Sequence, residues 1–129
     1  MFTQTMTPAF CETDALGHIS NTVIPRWFES ARDPVFRLFS PDLDHHKWQL
    51  ILAKYEIEFK AELFYGLPVD IKTWISHLGN SSMHVTQQVW QKDRLTVEGT
   101  TVMVHFDYTE KKPSAIPDEI KKLLKPHCL

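Results

Sequence analysis

The chain is poor in the residues that build several common kinds of site. Only 4 of its 129 residues are glycine and only 2 are cysteine, Cys11 and Cys128, at opposite ends of the sequence. It therefore has no glycine-rich phosphate-cradling loop, no Cys-x-x-Cys pair and no disulfide framework. A Gly-x-Ser-x-Gly nucleophile elbow and a His-Glu-x-x-His zinc motif are missing as well. A reducing, cytoplasmic setting fits this use of cysteine best.

Long apolar runs and an excess of one charge are also missing. No run approaches the roughly 20 apolar residues that a membrane-spanning helix needs. The start of the chain, MFTQTMTPAF, has no basic segment followed by an apolar one. We therefore expect neither a secretory signal nor a membrane partner. The 14 basic and 16 acidic residues give a net charge of −2, which argues against nucleic acid as a partner but allows a local phosphate site.

What is present is typical of one globular domain spanning residues 1–129. The chain is 43% hydrophobic and 23% charged, which is ordinary for such a domain. A chain of this length can bury a core but has little room for a deep pocket of its own. We therefore expect a second subunit to supply one wall of any site for a long ligand.

The spacing of apolar residues predicts an α+β domain. Helical spacing runs over Thr22–Phe39, with Asn21 or Thr22 as its cap, Pro25 in its first turn and Asp33-Pro34 favouring a kink or break near its end. Alternating or β-branched runs predict strands, and a last amphipathic stretch predicts a short helix. These segments are Thr3–Phe10, Leu50–Phe59, Val69–Ser76, Met83–Gln91 and Leu95–Tyr108 for the strands, and Ile116–Lys125 for the helix. Their order indicates an antiparallel sheet wrapped around one long central helix.

The loop before the long helix carries the most specific pattern in the chain. Glu-Thr-Asp-Ala-Leu-Gly-His-Ile-Ser-Asn at 12–21 runs into Arg-Trp-Phe-Glu-Ser-Ala-Arg at 26–32. This pattern resembles the hotdog-fold acyl-CoA thioesterases of the 4-hydroxybenzoyl-CoA thioesterase type, and the resemblance continues through Tyr65-Gly66 and residues 79–82 to about Tyr108. It implies a hotdog fold that hydrolyses acyl-CoA with no metal and no cofactor beyond the coenzyme A of the substrate. It also implies a homodimer with sheets paired edge to edge, assembling further to a homotetramer as a dimer of dimers.

The resemblance assigns the catalytic carboxylate to Asp14 and the carbonyl-polarising backbone amide to Asn21. Thioester hydrolysis needs an attacking oxygen and a donor for the developing oxyanion, and a helix start offers free N–H groups. Asp14 can act as a nucleophile that forms a mixed anhydride or as a base that activates water. From the residues alone, Asp14 can equally be a turn carboxylate and Asn21 a helix cap. A related branch carries a catalytic His at the Asn21 position, and Asn cannot transfer a proton at neutral pH.

Six further residues are candidates for substrate binding on the same resemblance. His18 can instead be a structural histidine that fixes the loop, and the serines can belong to a plain β-turn after Gly79-Asn80. Phe59 and Tyr65 can belong to the core rather than to a pocket wall. The six residues are Gly17, His18, Phe59, Tyr65, Ser81 and Ser82.

Two other features are interpreted as structural, and two other functions stay open. Glu29 and Arg32 are spaced to pair across one helical turn. His45-His46 has no ligand set with metal spacing and is interpreted as a solvated loop. A hydratase or dehydratase on the same fold would carry an Asp-x-Asn-Pro-x-His pattern, which this chain lacks. A non-catalytic acyl-CoA-binding protein would not need a carboxylate beside the thioester.

Overall fold

A computed structural model describes all residues, 1–129, as a mixed α+β fold with one curled antiparallel sheet. The strands run in the order β1-β3-β4-β5-β2, and β6 pairs with β5 off that path. Short 3₁₀ turns at Phe10–Glu12, Asn21–Val23, His45–Lys47 and Lys125–His127 join some of the elements. The elements are β1 (Phe2–Met6), α1 (Ile24–Ala31), α2 (Asp33–Phe39), β2 (Leu50–Phe59), β3 (Val69–Leu78), β4 (Ser82–Gln91), β5 (Arg94–Asp107), β6 (Lys112–Pro113) and α3 (Asp118–Leu124).

The core lies between the concave face of the sheet and the two central helices. Burial alternates along β4, where every second side chain from Met83 to Gln91 is buried, as expected for a strand with one face on a core. Part of the core packs α1 against β3, β4 and β5, with Trp27, Phe28 and Val97 among its members. A second part packs α2 and α3 against the other half of the sheet. The predicted α+β class with a sheet around a helix is therefore confirmed.

The central helix is less continuous than the predicted Thr22–Phe39. A helical run of 19 residues is present, but it divides into a 3₁₀ turn, α1 and α2, with the break at Arg32. Pro34 has no backbone N–H to continue the helical ladder, which explains a break at this position. At the other end, the cap is Ser20, whose Oγ accepts a hydrogen bond from the Thr22 N–H at 3.3 Å. The expectation that Asn21 or Thr22 caps the helix was wrong by one or two residues.

The first strand is also shorter than the predicted Thr3–Phe10. It ends at Met6, and Phe10 lies in a 3₁₀ turn instead. Pro8 cannot donate to a sheet ladder, so the strand cannot extend through it. The terminal helix α3 is likewise shorter than Ile116–Lys125, and the two-residue β6 was not predicted.

Strand β2 forms one edge of the sheet. It pairs with β5 along one side, with a bulge between Leu52 and Lys54, and no strand of the chain covers its other side. Three large apolar side chains of this strand, Leu52, Tyr55 and Phe59, are about half exposed, at 47%, 51% and 54%. An edge strand of ten residues with exposed apolar side chains is a template for pairing with another chain.

Candidate active site

The loop that carries Asp14 is held in one conformation by its own backbone. Asp14 Oδ1 accepts hydrogen bonds from the N–H groups of Leu16 at 2.8 Å and His18 at 3.2 Å. The Asp14 N–H donates to the His18 carbonyl at 2.8 Å, and Gly17 completes the reversal with φ of +82°. That left-handed conformation favours glycine, which explains Gly17 as a turn residue. Asp14 Oδ2 accepts no hydrogen bond from the chain, so one carboxylate oxygen is free for chemistry.

Glu12 ties this loop to the central helix. Its Oε2 accepts a hydrogen bond from the Trp27 indole N–H at 2.6 Å, and its Oε1 accepts from the Ala9 N–H at 2.8 Å. The Glu12 carbonyl accepts from the Ser20 N–H at 2.8 Å, one residue before the helical run begins. The two bonds to the Glu12 carboxylate are charge-assisted, and such bonds are short and directional. Sequence reasoning missed Glu12 as a positioning residue, although its place two residues before Asp14 was a signal.

Asp14 lines a cavity of about 410 Å³ at the start of the helical run. The cavity has an apolar side formed by the helix and the sheet and a polar rim formed by the loop and the segment after β2. Its walls include four of the predicted site residues, Asp14, His18, Asn21 and Phe59. Lys60 and Glu62 were not predicted and also line it. The structure therefore brings both predicted catalytic residues to one cavity.

Asn21 lines this cavity and has a free backbone donor. It is the first residue of the 3₁₀ turn, and its N–H donates to no group of the chain. The first N–H groups of a helical segment have no partner within the segment and can bind an acceptor from a ligand. A carboxylate oxygen and an unpaired N–H at one apolar cavity match what attack on a thioester carbonyl needs.

His18 is placed as a structural residue more than as a proton carrier. Its Nε2 lies 3.2 Å from Glu62 Oε2, and its ring packs edge-on against Phe64 with centroids 5.4 Å apart. His18 also forms a β-bridge with Phe64, so its backbone joins the Asp14 loop to the segment after β2. These contacts fix the wall of the cavity on the side of Asp14.

The other predicted binding residues are not brought to this cavity within one chain. Tyr65 is half exposed and packs edge-on against Phe10, with centroids 5.6 Å apart. Ser82 pairs with Val104 on β5, seven residues from the cavity residue Val97. At a rise of about 3.4 Å per residue, that separation is about 24 Å along the strand. Ser81 and Ser82 therefore lie at the opposite end of the sheet from Asp14.

The predicted pair of Glu29 and Arg32 does not form. No acidic oxygen lies within 4.0 Å of the Arg32 guanidinium, since the ion pairs of the chain involve other residues. Arg32 is buried under the sheet, where its Nη1 donates to Gln87 Oε1 at 3.3 Å and to Thr101 Oγ1 at 3.2 Å. The prediction was wrong because the spacing places both residues on the helix but does not say which one points into the core.

The two adjacent histidines lie in the loop between α2 and β2. The centroids of the His45 and His46 rings lie 4.0 Å apart with the rings tilted by 38°, and with Asp44 these residues hold potential ligand atoms within 4.8 Å of one another. Both histidines are exposed, and Asp44 Oδ1 accepts from the His46 N–H at 3.0 Å as the cap of a 3₁₀ turn. The interpretation of this segment as a solvated loop without a metal remains a prediction.

Comparison with known protein families assigns the chain to one of them. The profile of the thioesterase-like superfamily matches residues 9–124, which is most of the chain. The chain belongs to the thioesterase-like superfamily. Among curated proteins, no match to this thioesterase-like chain was found.

Solved structures of other thioesterases share the fold of this member of the superfamily. A predicted thioesterase from Bacillus stearothermophilus is 35% identical, with a TM-score of 0.96 over 99% of this chain and 96% of the other. A thioesterase from Thermus thermophilus, solved with coenzyme A and Zn, is 24% identical, with a TM-score of 0.85 over 96% of this chain and 91% of the other. A gentisyl-coenzyme A thioesterase is 19% identical, with a TM-score of 0.79 over 95% of this chain and 99% of the other. The family match and the likeness to the Bacillus stearothermophilus protein support thioester hydrolysis as the general activity.

The helices of this thioesterase-like protein are all short. None of them is long and apolar enough to cross a membrane.

Proposed function

We propose that this protein hydrolyses acyl-CoA thioesters to the free carboxylic acid and coenzyme A, in the manner of the 4-hydroxybenzoyl-CoA thioesterase type. The observation that carries the proposal is the shared cavity of Asp14 and Asn21. One carboxylate oxygen of Asp14 and the N–H of Asn21 are both free of partners within the chain, and both residues line the same 410 Å³ cavity. Coenzyme A in the Thermus thermophilus thioesterase supports a CoA ester as the substrate.

The chemistry follows from these two groups. The Asn21 N–H donates to the thioester carbonyl oxygen and stabilises the negative charge that develops on it. The free Asp14 oxygen attacks the carbonyl carbon, the C–S bond breaks, and CoA leaves as the thiolate, so that a mixed anhydride remains for water to hydrolyse. In the alternative course, Asp14 takes a proton from a water molecule that attacks the same carbon. Both courses yield one carboxylic acid and one CoA per water consumed.

The Asp14 turn positions the carboxylate for either course. The bonds from the Leu16 and His18 N–H groups to Oδ1 hold the side chain in place. His18 and Glu62 then support the loop from the side. We assign His18 and Gly17 to positioning the loop and Phe59 to the wall that the acyl group contacts.

We further propose that the chain works as a homodimer joined at the free edge of β2. The exposed Leu52, Tyr55 and Phe59 lie on this edge strand, and Phe59 also lines the Asp14 cavity. Pairing of two β2 strands would cover these side chains and bring a second subunit to the cavity rim. The partner would then supply the wall that one short chain lacks, and Tyr65, Ser81 and Ser82 would reach substrate only through such an assembly. A dimer of dimers is the further assembly that we expect.

Release of CoA thiol from a panel of acyl-CoAs tests the proposal. We expect turnover by the wild type and a loss of about 100- to 10,000-fold in kcat for Asp14→Asn, because the amide is neither a base nor a comparable nucleophile. Asp107→Asn is the matched control, since Asp107 Oδ1 also accepts two turn N–H bonds, from Thr109 at 2.9 Å and Glu110 at 3.1 Å.

Three outcomes separate the alternatives. Binding of acyl-CoA without any turnover by the wild type would indicate the non-catalytic function instead. Full activity of Asp14→Asn would remove Asp14 from the mechanism while leaving the hydrolase. Label in the Asp14 carboxyl group after a single turnover in ¹⁸O-labelled water would indicate the nucleophilic course, because label can enter that group only through water attack on the Asp14 carbon of the anhydride.

A further inference from the structure

A second cavity lies in line with the first, between α1 and the edge strand β2. It has a volume of about 200 Å³. Its walls continue those of the Asp14 cavity: Phe28 follows Ile24 by one helical turn, and Ile57 precedes Phe59 by two residues on the same face of β2. On β5, Thr101 continues the line from Val97. The two cavities share no lining residue but lie end to end along the helix, and this line of two cavities is called the groove below.

The far end of this groove holds the buried guanidinium of Arg32. The residue is 6% exposed, and the only hydrogen bonds of its side chain are donated by Nη1 to neutral side chains, Gln87 at 3.3 Å and Thr101 at 3.2 Å. Its Nε is buried and has no partner at all. Gln87 is itself locked, because its Nε2 donates to the Phe28 carbonyl at 2.9 Å and to Thr73 Oγ1 at 3.1 Å. The amide oxygen of Gln87 is therefore fixed toward Arg32.

A buried cation without a counter-ion is an expensive feature for a core. Burying an unpaired charge costs roughly several kcal/mol of folding free energy. Replacing buried charged groups with apolar residues of similar volume often leaves a protein equally stable or more stable. Burial lowers the pKa of Arg32, and the charge of Glu29 partly opposes that shift. Arg26 and Glu29 also line the cavity, but both are exposed to solvent and carry opposite charges, so Arg32 is the one buried charge of the lining. The cavity therefore favours an anionic group over a neutral one.

The distance from the reaction centre sets the length of a ligand that could reach Arg32. Asn21 and Arg32 are separated by eleven residues of the helical run. At about 1.5 Å per residue, this is about 16 Å along the helix axis. An acyl group whose thioester lies at Asn21 would reach the guanidinium only if it extended along the groove past Phe28.

Resting on the proposed function, we infer that the substrates include extended acyl groups that carry a carboxylate at the end distal to the thioester, and that Arg32 recognises this carboxylate. A guanidinium matches the geometry of a carboxylate with two parallel N–H donors. Arg32 is a specificity residue in this proposal and takes no part in bond breaking.

The experiment compares CoA monothioesters of straight-chain dicarboxylic acids with acyl-CoAs of the same chain length that end in a methyl group. We expect the wild type to prefer the carboxylate-ended member by about 10- to 100-fold in kcat/KM, which is the range for one charged hydrogen-bonded group. The preference should peak at one chain length, because only a chain that spans the groove reaches Arg32. It should be weak for short acyl groups.

Variants at Arg32 assign the preference to this side chain. Arg32→Met should abolish the preference while methyl-ended substrates are still hydrolysed, and Arg32→Lys should keep part of it because the charge remains without the fork. Arg37→Met, an exposed arginine outside the groove, should keep the full preference. If Arg32→Met does not fold, as judged by circular dichroism and thermal unfolding, the wild-type length profile and Arg32→Lys decide.

Failure of this inference differs from failure of the proposed function. Hydrolysis of acyl-CoAs by the wild type without a preference at any chain length would overturn the inference alone. A preference that survives intact in Arg32→Met would do the same. If the protein hydrolyses no acyl-CoA at all, both the proposed function and this inference are overturned.

Discussion

Gly99 offers a direct test of how the central helix packs on the sheet. It lies in the middle of β5, and a Cβ added there would lie 2.9 Å from Phe28 Cε2, 2.9 Å from the Glu56 carbonyl oxygen and 3.3 Å from Ile57 Cγ1. Contacts below 3.0 Å force a neighbour to move. The Phe28 ring is 2% exposed and belongs to the core, so it has little space into which it can shift.

The change Gly99→Ala should therefore destabilise the fold. Overpacking of a core costs about 1–3 kcal/mol, and the loss of glycine's conformational freedom returns about 0.5–1 kcal/mol. We expect the free energy of unfolding to fall by about 1–2 kcal/mol. For a chain of this length, each kcal/mol lowers Tm by about 4 °C, so the expected decrease is about 4–8 °C.

Urea titration monitored by circular dichroism and tryptophan fluorescence measures this change in the free energy of unfolding. An unchanged slope of that free energy against urea concentration would show that the wild type and the variant expose similar areas on unfolding. Phe28→Leu removes the ring atom that the new methyl group meets. The double variant should consequently be more stable than the sum of the two single effects by about 0.5 kcal/mol or more, although the contact with the Glu56 carbonyl remains. A neutral or stabilising Gly99→Ala, or strict additivity with Phe28→Leu, would refute this account of the packing.

Two other changes test the buried network and the proposed dimer. Gln87→Leu removes the hydrogen bonds of Gln87 to Arg32, Thr73 and the Phe28 carbonyl. At about 1 kcal/mol for each lost bond, the free energy of unfolding measured by urea titration should fall by about 3 kcal/mol. A decrease below about 1 kcal/mol would contradict the network. Tyr55→Lys places a charge on the exposed face of β2 and should shift the protein from dimer to monomer in analytical ultracentrifugation at low concentration. An unchanged dimer would move the interface away from β2.

Local patterns predicted most of the fold because they follow directly from side-chain periodicity. The bounds of β2, Leu50–Phe59, were predicted to the residue, since charged and apolar residues alternate over Lys54–Phe59. The predicted strands Met83–Gln91 and Leu95–Tyr108 left three residues for a turn between them, and Lys92 and Asp93 adopt positive φ values of 49° and 58° in it. The break in the central helix was foreseen from Asp33-Pro34, although the predicted helix was drawn through it.

The site was predicted only where its residues are close in sequence. Asp14, His18 and Asn21 share one loop, so their approach to a common cavity follows from local geometry. The cavity positions of Lys60 and Glu62 depend on how the chain continues after β2, which no short-range pattern shows. The position of Ser81 and Ser82 was not predicted either. They lie at the start of β4, which is at the far end of the sheet from the Asp14 cavity.

Arg32 shows a different reason for failure. Its spacing from Glu29 suits a surface ion pair, and its charge suggests exposure. The sheet instead buries it over Gln87 and Thr101, two polar residues on inward-facing positions of β4 and β5. Polar residues at inward-facing positions of otherwise apolar strands indicate a buried polar partner. Which residues those two strands bring together is known only once the strands are paired in the fold.

The most direct test of the proposed catalytic centre separates binding from chemistry at Asp14. A non-hydrolysable thioether analogue of an accepted acyl-CoA reports binding by calorimetry, while stopped-flow detection of free CoA thiol reports the first turnover of the matching thioester. The geometry predicts that Asp14→Asn binds the analogue with a Kd close to that of the wild type and releases CoA about 100-fold more slowly or worse. Release of CoA by Asp14→Asn at the wild-type rate, with equal binding, would contradict the assignment of Asp14 as the reacting carboxylate.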